Sequence, residues 1–299
     1  MRRSVIFKIL IVFFSFSVYV AKADNNSPEE AGGQEQPPSI GNFALPTSQQ
    51  PGPLVGFGQN IIDQNETQIF LLADDFSGVN KHAVDIAPSI LYGITNNLSV
   101  WLNMPIAASY KTNQDSSSGL EDAALQFEYA FYHQDTHAFS EQATIVSNMT
   151  FPTGSSTKEP NTGFGSPSFF LGFTLNRMYV DWFVFTSHGA VLTTSNDNTK
   201  FGNQFLYQAG FGRNILDIDS KWILAWMVEA DGQYTQKNKI SGVTDPNSGG
   251  NIVYVTPSLW VSSKRLIVQP GVGFPVAQHL YGNQKRNNYL LLLSLGWRL

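Results

Sequence analysis

The stretch that decides the fold is His82-Ala83-Val84-Asp85-Ile86-Ala87-Pro88-Ser89-Ile90-Leu91-Tyr92-Gly93-Ile94. Side chains alternate along an extended chain, so Val84, Ile86, Pro88, Ile90, Tyr92 and Ile94 share one face and Asp85, Ala87, Ser89, Leu91 and Gly93 the other. The first face suits lipid and the second a mixed, more polar interior. The division recurs downstream. Val100, Leu102, Met104, Ile106, Ala108 and Tyr110 oppose Ser99, Asn103, Ala107 and Ser109, with Trp101 the exception. Ala123, Leu125, Phe127, Tyr129 and Phe131 oppose Asp122, Ala124, Gln126 and Glu128, while Trp222, Leu224, Trp226, Val228 and Ala230 oppose Glu229, Asp231 and Gln233.

Eight further segments, at 68–74, 137–151, 164–175, 178–190, 203–213, 251–261, 265–276 and 288–299, complete an expectation of about twelve strands. An even number lets the last strand pair antiparallel with the first, leaving no unpaired edge for lipid to meet. Connections also alternate in length. Short ones at Thr95-Asn96, 134–136, Asn176-Arg177 and 262–264, with 214–221 somewhat longer, face long polar ones at 111–119, 152–163, 191–202, 236–250 and 277–287. That is the asymmetry between periplasmic turns and outer loops. The fold expected is all-β, a transmembrane antiparallel up-and-down barrel.

Outward from this core, residues 1–23 read as a signal peptide: Arg2, Arg3 and Lys8 precede an apolar run that ends before Ala21-Lys22-Ala23. The run is about 12 residues, short of the roughly 20 that a membrane-spanning helix needs. Residues 24–60 are polar and interrupted by Pro37-Pro38 and Pro51-Gly52-Pro53. They form either a periplasmic tail or a partial plug, and residues 61–299 form the barrel. The chain has no cysteine, so its stability must come from sheet pairing. A net charge of -5 with scattered Lys and Arg argues against a nucleic-acid partner. Charged residues make up 14% and aromatics 13%, without a helix-length apolar run after the signal, which a barrel reconciles.

Chemistry is sparse. His82, His133, His137, His188 and His279 lie on separate segments, and the one i, i+4 pair, His133 and His137, flanks a turn, so no metal or other cofactor is expected. Ser187-His188 is the one adjacent serine–histidine pair, and neighbours on a strand point to opposite faces, which removes the hydrogen bond a lipid-cleaving barrel enzyme needs. No phosphate loop follows Pro152-Thr153-Gly154. The candidate functional residues face the lumen: Asp85, Asp122, Gln126, Glu128, Glu229, Asp231, Gln233, Gln269 and Arg298. Their carboxylates read equally as selectivity residues or as members of a lumen-filling salt-bridge network with Arg298. Pro257 and Pro270 mark local interruptions of the wall, as bulges or as a gap for lateral exit.

The motifs Pro88-Ser89-Ile90-Leu91-Tyr92-Gly93-Ile94-Thr95-Asn96-Asn97-Leu98, Leu102-Asn103-Met104-Pro105, Gly119-Leu120-Glu121-Asp122, Phe151-Pro152-Thr153-Gly154 and Gly163-Phe164-Gly165-Ser166-Pro167 together resemble a family of outer-membrane proteins linked to the meta-pathway of phenol degradation. The final strand likewise resembles the C-terminal signal read by the barrel assembly machinery, although it ends in Leu299 where an aromatic is usual. The resemblance implies an outer-membrane protein of a Gram-negative bacterium that helps small, hydrophobic or aromatic solutes across, with no catalytic residues. The expected partners are outer-membrane lipid, the assembly machinery and a small-molecule solute. The expected function is passive diffusion, against two rivals: a non-conducting structural or adhesive barrel, and a lipid-modifying enzyme.

Overall fold

The computed structural model describes residues 36–196 and 199–299; the signal-peptide reading of residues 1–23 lies outside them. Twelve strands form the barrel: β1 (Thr67–Gly78), β2 (Lys81–Thr95), β3 (Leu98–Asn103 continued by Ile106–Thr112), β4 (Ser116–Leu120 continued by Ala123–Asp135), β5 (Phe139–Phe151), β6 (Ser168–Tyr179), β7 (Trp182–Thr193), β8 (Gln204–Ile218), β9 (Trp222–Thr235), β10 (Gly250–Ser263), β11 (Leu266–Leu280) and β12 (Asn287–Arg298). Each strand pairs antiparallel with the next, and β1 also pairs with β12 from Gln68↔Arg298 to Ser77↔Tyr289, which closes the sheet. Closure gives every wall strand two partners, the condition for crossing hydrocarbon.

The outward face is a lattice of apolar side chains. Ile145, Leu171, Phe173 and Leu259 remain 45–63% exposed, as a lipid-facing band requires. Tight turns lie at the end where β1 starts and β12 finishes; the opposite end carries the long connections 152–167, 194–203 and 236–249. By this asymmetry the first end is periplasmic. Short pairings at Ser195–Asn196, Thr199–Lys200, Lys239–Ile240 and Val243–Thr244 join two of the outer loops into a small sheet.

Several boundaries differ from the sequence reading. Asn176 and Arg177 continue β6 rather than turning it, because Arg177 pairs with Glu141 across the strands and stacks over Phe139 at 4.7 Å; the chain turns at Val180-Asp181. β8 runs on to Ile218, which shortens the next turn. In β3 the pairing passes from Asp85↔Ala107 to Val84↔Ser109, so Ala108 is an extra residue. A bulge of this kind exchanges the faces beyond it. Ser109 therefore turns outward, and Tyr110, expected at the lipid interface, turns inward beside Asp85 and Glu121.

The walls around the lumen are not uniform. β5 to β9 pair residue for residue with one irregularity, between Asn214 and Leu216 of β8. Between β10 and β11 the partners jump from Val255↔Phe274 to Ser258↔Gly271, beside Pro257 and Pro270, with a register shift at Val253/Tyr254. The β11–β12 ladder ends at Gly273↔Leu290. Beyond it the Gln278 side chain bridges to the backbone N–H and carbonyl of Asn287. Proline has no N–H to donate, which accounts for the interruptions.

Candidate functional site

Residues 36–66 run inside the barrel. The segment begins at the periplasmic end, where Asn42 hydrogen-bonds to the Val180 carbonyl at 2.8 Å and Gly41 donates to Asp217 at 2.7 Å. Two short 3-10 turns, Gly41–Phe43 and Thr47–Gln49, carry it to β10, where Ser262 donates to the Gln49 carbonyl at 2.7 Å. It rises to the middle of the lumen, crosses it, and descends to β2, where Asn65 donates to the Gly93 carbonyl at 2.8 Å before β1 begins. Ala44, Leu45 and Ile62 bury against Phe70, Leu91, Trp260 and Ile267 of the wall, forming an apolar core in the periplasmic half. Phe43 packs on a second cluster that includes Phe183 and Phe185.

At its apex the segment is held by its backbone. Glu229, in the middle of β9 and 0% exposed, accepts N–H bonds from Leu54 (2.7 Å), Val55 (3.2 Å) and Gly56 (2.9 Å). Glu128, on the nearly opposite strand β4, accepts from Gln59 (2.7 Å) and Asn60 (3.0 Å) and from the Thr144 hydroxyl (2.7 Å). Successive N–H groups converging on one anion form a concave nest. Between the two carboxylates, Gln208 takes the Phe57 N–H and donates to the Val55 carbonyl, and Ser187 donates to the Phe57 carbonyl. The sequence fits the tight crossing. Gly58 has φ +82°, and a Cβ there would stand 2.3 Å from Thr174 Cγ2. Phe57 meets Phe170 edge-on at 4.7 Å.

The remaining candidates divide by depth. Gln269 donates to the Gly52 carbonyl at 3.0 Å, and Arg298 pairs with Glu66 at 3.1 Å rather than with the mid-lumen carboxylates. Gln126 lines a cavity of about 270 Å³ between the inner segment and the wall, together with Phe70, Leu91, Trp101, Trp260 and Gln269. Asp231 accepts from Thr256 at 3.1 Å. Nearer the outer mouth, Gln233 donates to Gln204 at 2.9 Å, and Asp85 meets Asp74, Tyr110 and Glu121. Asp122 accepts N–H bonds from Gly154 (3.0 Å) and Phe164 (2.7 Å), drawing the 152–167 loop over the mouth. Sequence reasoning missed Gln208 and Ser187, whose partners are main-chain groups, and Thr144, which donates to the Glu128 carboxylate.

Ser187 and His188 lie on opposite faces of β7. Ser187 is buried in the lumen, whereas His188 faces outward, bonded to Thr186 at 3.0 Å and beside Phe173. Among the described residues, no group of three or more His, Asp or Glu side chains has metal-holding geometry.

A closed twelve-strand barrel with an apolar girdle defines an outer-membrane protein of the channel and porin type of fold. Among solved structures, it is similar to an outer membrane channel from Pseudomonas putida F1, with a TM-score of 0.68 and 13% identity over 84% of this chain and 99% of that one. It is also similar to the NanC porin, with a TM-score of 0.50 and 10% identity over 77% of this chain and 100% of that one. At such identity the likeness is one of fold. No protein-family model and no curated protein matches the chain.

Proposed function

We propose that the chain is a passive outer-membrane channel or facilitator for small solutes, hydrophobic or aromatic ones among them, and that residues 36–66 narrow its path. The supporting observation is the 270 Å³ cavity at the contact between segment and wall, lined on one side by Phe70, Leu91, Trp101 and Trp260. Cavities of roughly 150 Å³ already accept a benzene ring, so this one has room for a monocyclic solute. The motif resemblance to the phenol meta-pathway family points to the same class. Passive transport fits a lumen without a nucleotide-binding motif. Transport, rather than lipid hydrolysis, fits a wall that parts Ser187 from His188.

One observation favours a second reading, a non-conducting structural barrel: the inner segment is bound along much of its length by buried side chains. Planar-bilayer conductance of the refolded chain, with and without residues 24–60, separates the two. Stepwise currents that grow on truncation support a channel narrowed by the segment. Silence from both proteins, with folding verified by a heat-dependent gel shift, supports the structural barrel.

A further inference from the structure

We infer that the open path selects cations, and that Glu229 and Asp231 form a mid-depth site for a small monovalent cation, inorganic or primary ammonium. The inference rests on the channel reading above and specifies what crosses. Glu229 takes three N–H donors from consecutive backbone positions, the number that a primary ammonium group presents. The inner segment thus occupies the carboxylate as such a cation would.

Asp231 supplies a second, independent observation. It lies two residues along β9 on the same face and is only 6% exposed, and its Oδ1 is buried without a hydrogen-bond partner while Oδ2 takes the Thr256 hydroxyl. Among the described residues, no Lys, Arg or His forms an ion pair with Glu229, Asp231 or Glu128. Two carboxylates on one low-dielectric wall require neutralisation, by a shared proton or by a counter-cation that enters beside them. When the segment moves away, Glu229 loses its donors and joins Asp231 in facing the path. Above them Asp74, Asp85, Glu121 and Asp122 line the approach, and Arg298 at the periplasmic end is engaged by Glu66. Lys81, which shares the inward face of β2 with Asp85 and sits over Phe76, is a cation on the same approach, but the carboxylates outnumber it. A passage with an excess of one sign of charge concentrates the opposite ion and disfavours its own.

The test is the reversal potential of the full chain in a KCl gradient, measured also for Gly58→Val, whose side chain would collide with Thr174 and displace the apex. Potassium is expected to be preferred over chloride by on the order of tenfold, methylammonium to carry current in its place, and Asp231→Asn to lower the preference about threefold, with Asp231→Glu restoring it. Equal permeability, a chloride preference, or a preference unchanged by Asp231→Asn overturns the inference and leaves the channel reading intact. Absence of current from both the parent and Gly58→Val overturns both.

Discussion

The two faces of the barrel wall are built on different rules. On the outside, Ile145, Leu171 and Phe173 meet lipid by virtue of being apolar and alternate, and exchange among aliphatic types would leave the surface unchanged in kind. On the inside, Glu229, Gln208, Ser187 and Glu128 each address a particular backbone group of residues 54–60. The outer face is therefore a specification of composition, and the inner face one of position. A conservative change should pass unnoticed on the first and register on the second, whereas a charge should do the reverse wherever the lumen can hydrate it.

The sharpest way to break this contrast is a charge on the lipid side. Ile145→Arg, in the middle of β5, should destabilise the folded barrel by about 2–4 kcal/mol, read from denaturant unfolding in lipid vesicles. Thr144→Arg on the adjacent lumenal position should lower barrel stability less; an equal loss for both would erase the distinction. Next in size, Glu229→Ala removes the acceptor of three N–H groups. The inner segment should loosen by about 3 kcal/mol, allowing for water that enters in its place, seen as faster proteolysis at residues 50–60 and larger current steps while the heat-dependent gel shift persists. Unaltered proteolysis would mean that the apolar packing of Ala44, Leu45 and Ile62 holds the segment alone. The smallest effect belongs to Gln269→Ala, which removes one bond to the Gly52 carbonyl and should loosen the segment by about 1 kcal/mol by the same assay.

What was legible in the sequence follows the same division. Period-two patterning located the strands and the side chains that meet lipid, because alternation writes itself into residue type; β2, β4 and β9 show the faces assigned to them. It failed where one residue changes the phase, as Ala108 does for Tyr110, and where polar side chains satisfy each other between neighbouring strands, as Arg177 and Glu141 do. The carboxylates of Glu128 and Glu229 were visible as inward-facing, but their partners were not. Most of those partners are peptide N–H groups, which every residue except proline carries, so no side-chain pattern could announce them.

Residues 36–66 are continuous with β1, and that covalent joint sets how the lumen is occupied. A separate blocking peptide would bind according to its concentration in the periplasm. A segment tethered a few residues from its own wall meets Glu128 and Glu229 at an effective concentration on the order of millimolar, however few copies of the protein a membrane holds. Vacating and reoccupying the lumen is then a first-order event within one molecule, with a rate that dilution leaves untouched. On the proposed channel reading, each barrel carries its own occupant.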